Sequence, residues 1–155
     1  MSVEEAKLSE KIMNRAGKQY DEYRDTVMSC IAQFRPEWIM ELCQVNDNNP
    51  ENPNAKWNNG HFMHQFTYFL GDVNFYYIGE NGEKKVVVMN TGDSNYITPF
   101  TPHSFATRKD AKKNGLILAL TYGNNLSGDS QHELSSIGKK LGKEFALDFS
   151  SKENA

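Results

Sequence analysis

The sequence predicts a mainly β domain, an all-β sandwich or barrel, with a helix at each end. Three observations carry this. Short segments rich in β-branched and aromatic residues recur between residues 38 and 122, separated by Gly and Asn turns. Asn81-Gly82 sits between Phe75-Tyr76-Tyr77-Ile78 and Lys85-Val86-Val87-Val88-Met89; this dipeptide is the strongest short hairpin signal, because a type I′ turn needs positive φ at both central residues. From Ser130 the apolar period changes to that of a helix, with Leu134, Ile137, Leu141 and Phe145 on one face.

The elements follow in order. Residues 2–16 read as a helix: Ser2 and Glu5 form a capping box, and Ala6, Leu8, Ile12 and Met13 give a thin apolar stripe that Gly17 ends. Residues 23–34 fit a strand or a helix equally. Residues 38–45, bounded by Pro36 and Asn46, suit a buried strand. Residues 46–59 form a loop, because the repeated Asn with Pro50 and Pro53 sustains neither a sheet nor a helix interior; a loop this long points to function. Strands are expected at 62–70 and 73–78, joined at Gly71-Asp72, then at 85–89, at 96–97 after the turn Thr91-Gly92-Asp93, and at 116–122. Ser130 and Glu133 cap the C-terminal helix, which Gly138 and Gly142 weaken by about 1 kcal/mol each against Ala. The expected organisation is an N-terminal helix (1–17), a barrel (18–125), a C-terminal helical segment (126–149) and a disordered tail (150–155).

Bulk properties narrow the function. The chain has 155 residues, enough for one core, with 17 basic and 20 acidic residues and a net charge of −3. Lys109, Lys112 and Lys113 form a weak basic run broken by Asp110, so no nucleic-acid partner is expected. No apolar stretch approaches the roughly 20 residues that cross a bilayer, and none resembles a signal peptide. Cys30 and Cys43 make neither a disulfide framework nor a thiolate metal site; two reduced thiols in a cytoplasmic protein are expected.

The chemistry concentrates between Asn58 and Phe105. On a strand, residues of equal parity face one side, so His61 and Gln65 share a face. His103, preceded by Pro99 and Pro102, supplies a third ligand from a neighbouring strand. Two His and one oxygen donor on one face is the pattern that suits non-haem Fe(II), with positions left for substrate and O₂. The alternative is that these are ordinary polar residues of a β domain. His64, of opposite parity, is expected to point elsewhere, and His132 to be solvated.

The run Asn58-Asn59-Gly60-His61-x-x-x-Gln65, then Gly92-Asp93 and Pro102-His103, resembles the cupin domain (a double-stranded β-helix, or jelly-roll barrel) of the phosphonate-processing non-haem iron oxygenases. This is the group of hydroxypropylphosphonate epoxidase, hydroxyethylphosphonate dioxygenase and methylphosphonate synthase. The resemblance covers residues 15–122, and Gln in the oxygen-ligand position is most similar to the methylphosphonate synthases. It implies Fe(II) as cofactor, a small hydroxyalkylphosphonate and O₂ as substrates, and phosphonate contacts from Asn58, Tyr23 and Arg15. The family's larger members carry a helix-turn-helix region before the cupin, and in several a Lys from outside the barrel reaches the metal; Lys7, Lys11 and Lys18 are the candidates here, unless a partner subunit supplies one.

A neutral Gln leaves one more positive charge on the metal than a carboxylate does, so the site should gain more from an anionic ligand. A hydroxyalkylphosphonate fits, since its phosphonate and hydroxyl oxygens can chelate together. Three readings stay open: C–C cleavage of 2-hydroxyethylphosphonate to methylphosphonate; a related dioxygenase giving hydroxymethylphosphonate; and a metal- or ligand-binding cupin without turnover, or a fragment of a larger oxygenase. An open sheet edge or the thin N-terminal helix would support a homo-oligomer.

Overall fold

The computed structural model describes residues 3–26 and 34–123. Within them the chain forms one short helix, α1 (Val3–Leu8), and nine strands: β1 (Lys11–Arg15), β2 (Lys18–Asp25), β3 (Phe34–Glu41), β4 (His64–Phe69), β5 (Val73–Ile78), β6 (Lys84–Met89), β7 (Ser94–Ile97), β8 (His103–Thr107) and β9 (Gly115–Tyr122). Six strands make one antiparallel sheet in the order β1-β2-β3-β9-β4-β7, and three make the other, β6-β5-β8. The two sheets close over Ile39, Phe69, Val73, Phe75, Met89, Ile97, Phe105, Ile117 and Ala119. This is the cupin arrangement.

Period-2 alternation decides which side chains enter the cavity. Along β4, Gln65, Thr67 and Phe69 are buried while Phe66 and Tyr68 are exposed. Gln65 pairs with Thr121 and Thr67 with Ala119 across β9, and in the same sheet Tyr23 pairs with Ile39 and Asp21 with Glu41. These cross-strand neighbours form one inward face, the floor of the site.

Two sequence expectations change. The predicted helix over residues 2–16 is helical only at Val3–Leu8; Lys11–Arg15 is a strand. Ala16 and Gly17 both adopt left-handed φ (51° and 76°), so Gly17 serves a two-residue hairpin rather than a helix end. β2 supplies a partner strand, and pairing to it outweighs the weak stripe of α1. At Asn81-Gly82 the hairpin forms, but only Gly82 has left-handed φ (82°). Gly82 N–H donates to the Gly79 carbonyl (3.0 Å) and Gly79 N–H to the Glu83 carbonyl (2.8 Å), giving a longer loop in place of the two-residue turn.

Residues 46–59 are an ordered loop held by its own side chains. Asn52 Nδ2 donates to Asn46 Oδ1 (2.8 Å) and Asp47 Oδ1 (2.7 Å), and Asn74 Nδ2 donates to Asn48 Oδ1 (2.9 Å). Val45, Ala55, Tyr76 and Ala106 pack beneath it. The predicted C-terminal helix, the tail, Cys30 and His132 lie outside the described residues.

Candidate metal centre

A cavity of about 210 Å³ opens between the sheets, lined by Asn58, His61, Gln65 and His103 and by Arg15, Asp21, Tyr23, Glu37 and Glu41. All six residues singled out in the sequence line it. These two groups are built differently.

His61 reaches the cavity from a loop, not from a strand, because β4 begins only at His64. The parity argument therefore gives the right convergence for the wrong reason. Gly60, at φ 82°, makes the turn; a Cβ there would lie 2.6 Å from the Phe100 carbonyl carbon, so only glycine fits. Phe100 is itself left-handed at φ 62°. Its N–H donates to the His61 carbonyl (2.8 Å) and its ring meets Phe62 edge-on at 4.9 Å. Local strain of this kind, of order 1 kcal/mol or more, is held by the packing around it.

His103 opens β8 and is 3% exposed. Its N–H donates to Asn58 Oδ1 (3.0 Å), and the Asn58 N–H donates to its carbonyl (3.0 Å). The two imidazoles stand 5.1 Å apart, edge to face. Each is fixed by a backbone carbonyl at Nδ1: Met63 for His61 (2.7 Å) and Thr101 for His103 (2.8 Å). That bond places the proton on Nδ1 and leaves an Nε2 lone pair facing the cavity. Burial, then the neighbouring His61 and Arg15, push the His103 imidazole down to about 3, so it is neutral.

Gln65 completes the set. Its Nε2 donates to Thr67 Oγ1 (2.9 Å), which turns Oε1 toward His61 Nε2, also at 2.9 Å. These two polar atoms thus face each other at contact distance. That spacing also suits a shared cation: two ligands each about 2.1 Å from one ion and at right angles stand about 3 Å apart. Asn58 Nδ2 donates to His103 Nε2 (3.0 Å) and caps the third position. Among the described residues no three His, Cys, Asp or Glu side chains converge on one point; the two imidazoles and the Gln65 amide line the same cavity. The donor set fits a divalent first-row metal.

Arg15 Nη2 meets Asp21 Oδ2 at 3.0 Å, its Nη1 donates to the Lys56 carbonyl (2.8 Å), and its guanidinium lies 4.8 Å from the Tyr20 ring centre. Burial raises the Tyr23 hydroxyl, so it remains a donor. Asp21, Glu37 and Glu41 escaped the sequence reading. The signal was present: Glu37, Ile39 and Glu41 share parity, so acids stand on an inward face. Glu41 is fully buried. Burial, then the adjacent Asp21, raise its carboxyl well above the usual range. Lys7, Lys11 and Lys18 are exposed and do not line the cavity. His64 faces outward, as expected, stacked between Tyr96 and Tyr122 and hydrogen-bonded to the Tyr96 hydroxyl.

No protein-family model matches the chain. Over all 155 residues it is 64% identical to methylphosphonate synthase of Nitrosopumilus maritimus (strain SCM1), of which it spans 34%. The structure of Streptomyces albus HEPD with substrate 2-hydroxyethylphosphonate and Fe(II) bound is similar at TM-score 0.76 and 48% identity, over 93% of this chain and 32% of that one. Fe(II)-HppE with the alternative substrate (S)-1-HPP matches at TM-score 0.60 and 23% identity, over 73% and 56% of the two chains, which shows the shared fold. The chain thus spans about a third of the curated relative it matches, and the relatives are those of the group its motifs resemble.

Proposed function

We propose that this chain is the iron-binding cupin portion of a phosphonate oxygenase, with His61, Gln65 and His103 as the Fe(II) ligands and 2-hydroxyethylphosphonate as substrate. The observation that carries the reading is the 2.9 Å approach of His61 Nε2 and Gln65 Oε1, with His103 Nε2 in the same cavity. Fe(II) held there supplies the redox chemistry by which O₂ reacts with a substrate C–C bond. The residues do the rest. The Met63 and Thr101 carbonyls hold the imidazoles in one tautomer. When His103 Nε2 serves as a ligand, Asn58 must give up its bond there, which frees its Nδ2–H for a phosphonate oxygen. Arg15, in the same lining, offers charge-assisted N–H groups, and Tyr23 a neutral O–H.

Cavity size and charge support a small anion. Water takes about 30 Å³ per molecule in the liquid, so about 210 Å³ of space admits a two-carbon phosphonate and little more. Because Gln65 brings no charge, the anion itself supplies the compensation that a carboxylate ligand would give. The 64% identity to methylphosphonate synthase favours methylphosphonate as product over hydroxymethylphosphonate.

Since none of Lys7, Lys11 and Lys18 lines the cavity, a second reading is that this chain binds metal and phosphonate but turns over only with groups from beyond residues 3–123. One experiment separates these: load Fe(II) anaerobically with 2-hydroxyethylphosphonate, admit O₂ and follow products by phosphorus NMR. Methylphosphonate supports the first reading and hydroxymethylphosphonate the dioxygenase alternative. Bound iron without turnover supports the second.

A further inference from the structure

The mechanism above uses Arg15 but leaves two buried acids beside it unexplained. Asp21 and Glu41 are 2% and 0% exposed, are direct cross-strand neighbours of β2 and β3, and line the cavity meant for an anion. Among the described residues no nitrogen or hydroxyl donor hydrogen-bonds either Glu41 oxygen. The acid directly across the strand pair from it is Asp21, itself buried. Two carboxyl groups bond to each other only when one carries a proton, since an ionised carboxylate has acceptors alone. An ionised, unpartnered Glu41 would cost several kcal/mol.

We propose that Asp21 and Glu41 share one proton and act as the positioning pair for Arg15, fixing its guanidinium toward the cavity without leaving it a net negative wall. Asp21 orients Arg15 by the 3.0 Å ion pair, and Glu41, as a neutral acid, donates to Asp21 and holds it in place. Arg15, Asp21 and Glu41 together then carry one cation, one anion and one neutral acid, beside Glu37, which also lines the cavity. With Glu41 ionised these three would carry a net negative charge and oppose the ligand that Arg15 is there to receive. The Lys56 carbonyl and the Tyr20 ring fix the other sides of the guanidinium. This inference rests on the phosphonate reading for its ligand, but its proton does not.

The test has two arms. Infrared difference spectroscopy of the intact chain near neutral pH, wild type minus E41Q, should show the C=O stretch of a protonated carboxylic acid; its absence overturns the proposal without reference to any ligand. Calorimetric titration of 2-hydroxyethylphosphonate into the anaerobic Fe(II)-loaded chain is the second arm. E41Q, an isostere of the protonated acid that keeps a donor for Asp21, should bind within about threefold of wild type. D21N, which removes the partner of Arg15, should bind at least tenfold more weakly while keeping its iron. D21N binding as tightly as wild type, or tighter, would mean that Asp21 only opposes the anion and would overturn the proposal. So would a tenfold loss in a folded E41Q. If D21N fails to fold, the infrared band and E41Q decide. If wild type binds no phosphonate, the phosphonate reading falls and the band alone judges the acid pair.

Discussion

The two ends of the cavity solve opposite problems. At the histidine end, two imidazoles and an amide are pinned from behind by backbone carbonyls and by Thr67. At the arginine end, charged groups are buried and cancel one another through Asp21 and Glu41. In the proposed reading the first arrangement takes a cation, and the second turns Arg15 toward an anion. A ligand carrying negative charge, chelated at one end and met by Arg15 at the other, satisfies both.

The comparison breaks most decisively at the histidine end. H61A or H103A should reduce bound iron from about one per chain to less than a tenth of that, by metal analysis after anaerobic loading. Full iron content in both variants would show that the lone pairs converge for another reason. Next in size, G60A should destabilise the chain by about 2 to 4 kcal/mol, because it combines a left-handed φ with a backbone clash. Chemical denaturation measures the loss, and iron affinity should fall with it, since Gly60 carries His61.

The arginine end gives a pH-dependent effect. Glu41 is raised in the folded state, by burial and then by Asp21, with Arg15 opposing and Cys43 adding slightly. The folded chain therefore binds that proton more tightly than the unfolded chain. The associated stability is full below the unfolded value, about 4.5, and is lost as pH rises toward the folded one. E41Q lacks this dependence, so it should melt above wild type at pH 8, with the gap closing near pH 4.5. A constant gap would remove the shared proton from the account. Smallest is Y96F on the outer face: it removes the bond to His64, should cost about 1 kcal/mol or less, and should leave iron content unchanged.

Legibility in the sequence follows the same division. The β-branched and aromatic run at 73–78 gave β5 with its observed bounds, and the turn at 91–93 is where Asn90 and Asp93 close on each other. The histidine end was readable because Gly60, Pro102 and the His-Gln spacing are local signals. The β1–β2 hairpin was not, since its turn is Ala16-Gly17 and tertiary pairing to β3 overrides a weak helical stripe. The acid pair was hidden for a different reason. Its meaning lies in the register of two strands some twenty residues apart, and no single strand displays it.

The central claim is that His61, Gln65 and His103 hold one iron. Diffraction from crystals of the anaerobically Fe(II)-loaded chain, with data collected at the iron absorption edge, tests it most directly. The account predicts a single anomalous peak within bonding distance of both Nε2 atoms and of Gln65 Oε1, with the Asn58 amide withdrawn from His103. A peak elsewhere, or Gln65 turned away from it, would contradict the account.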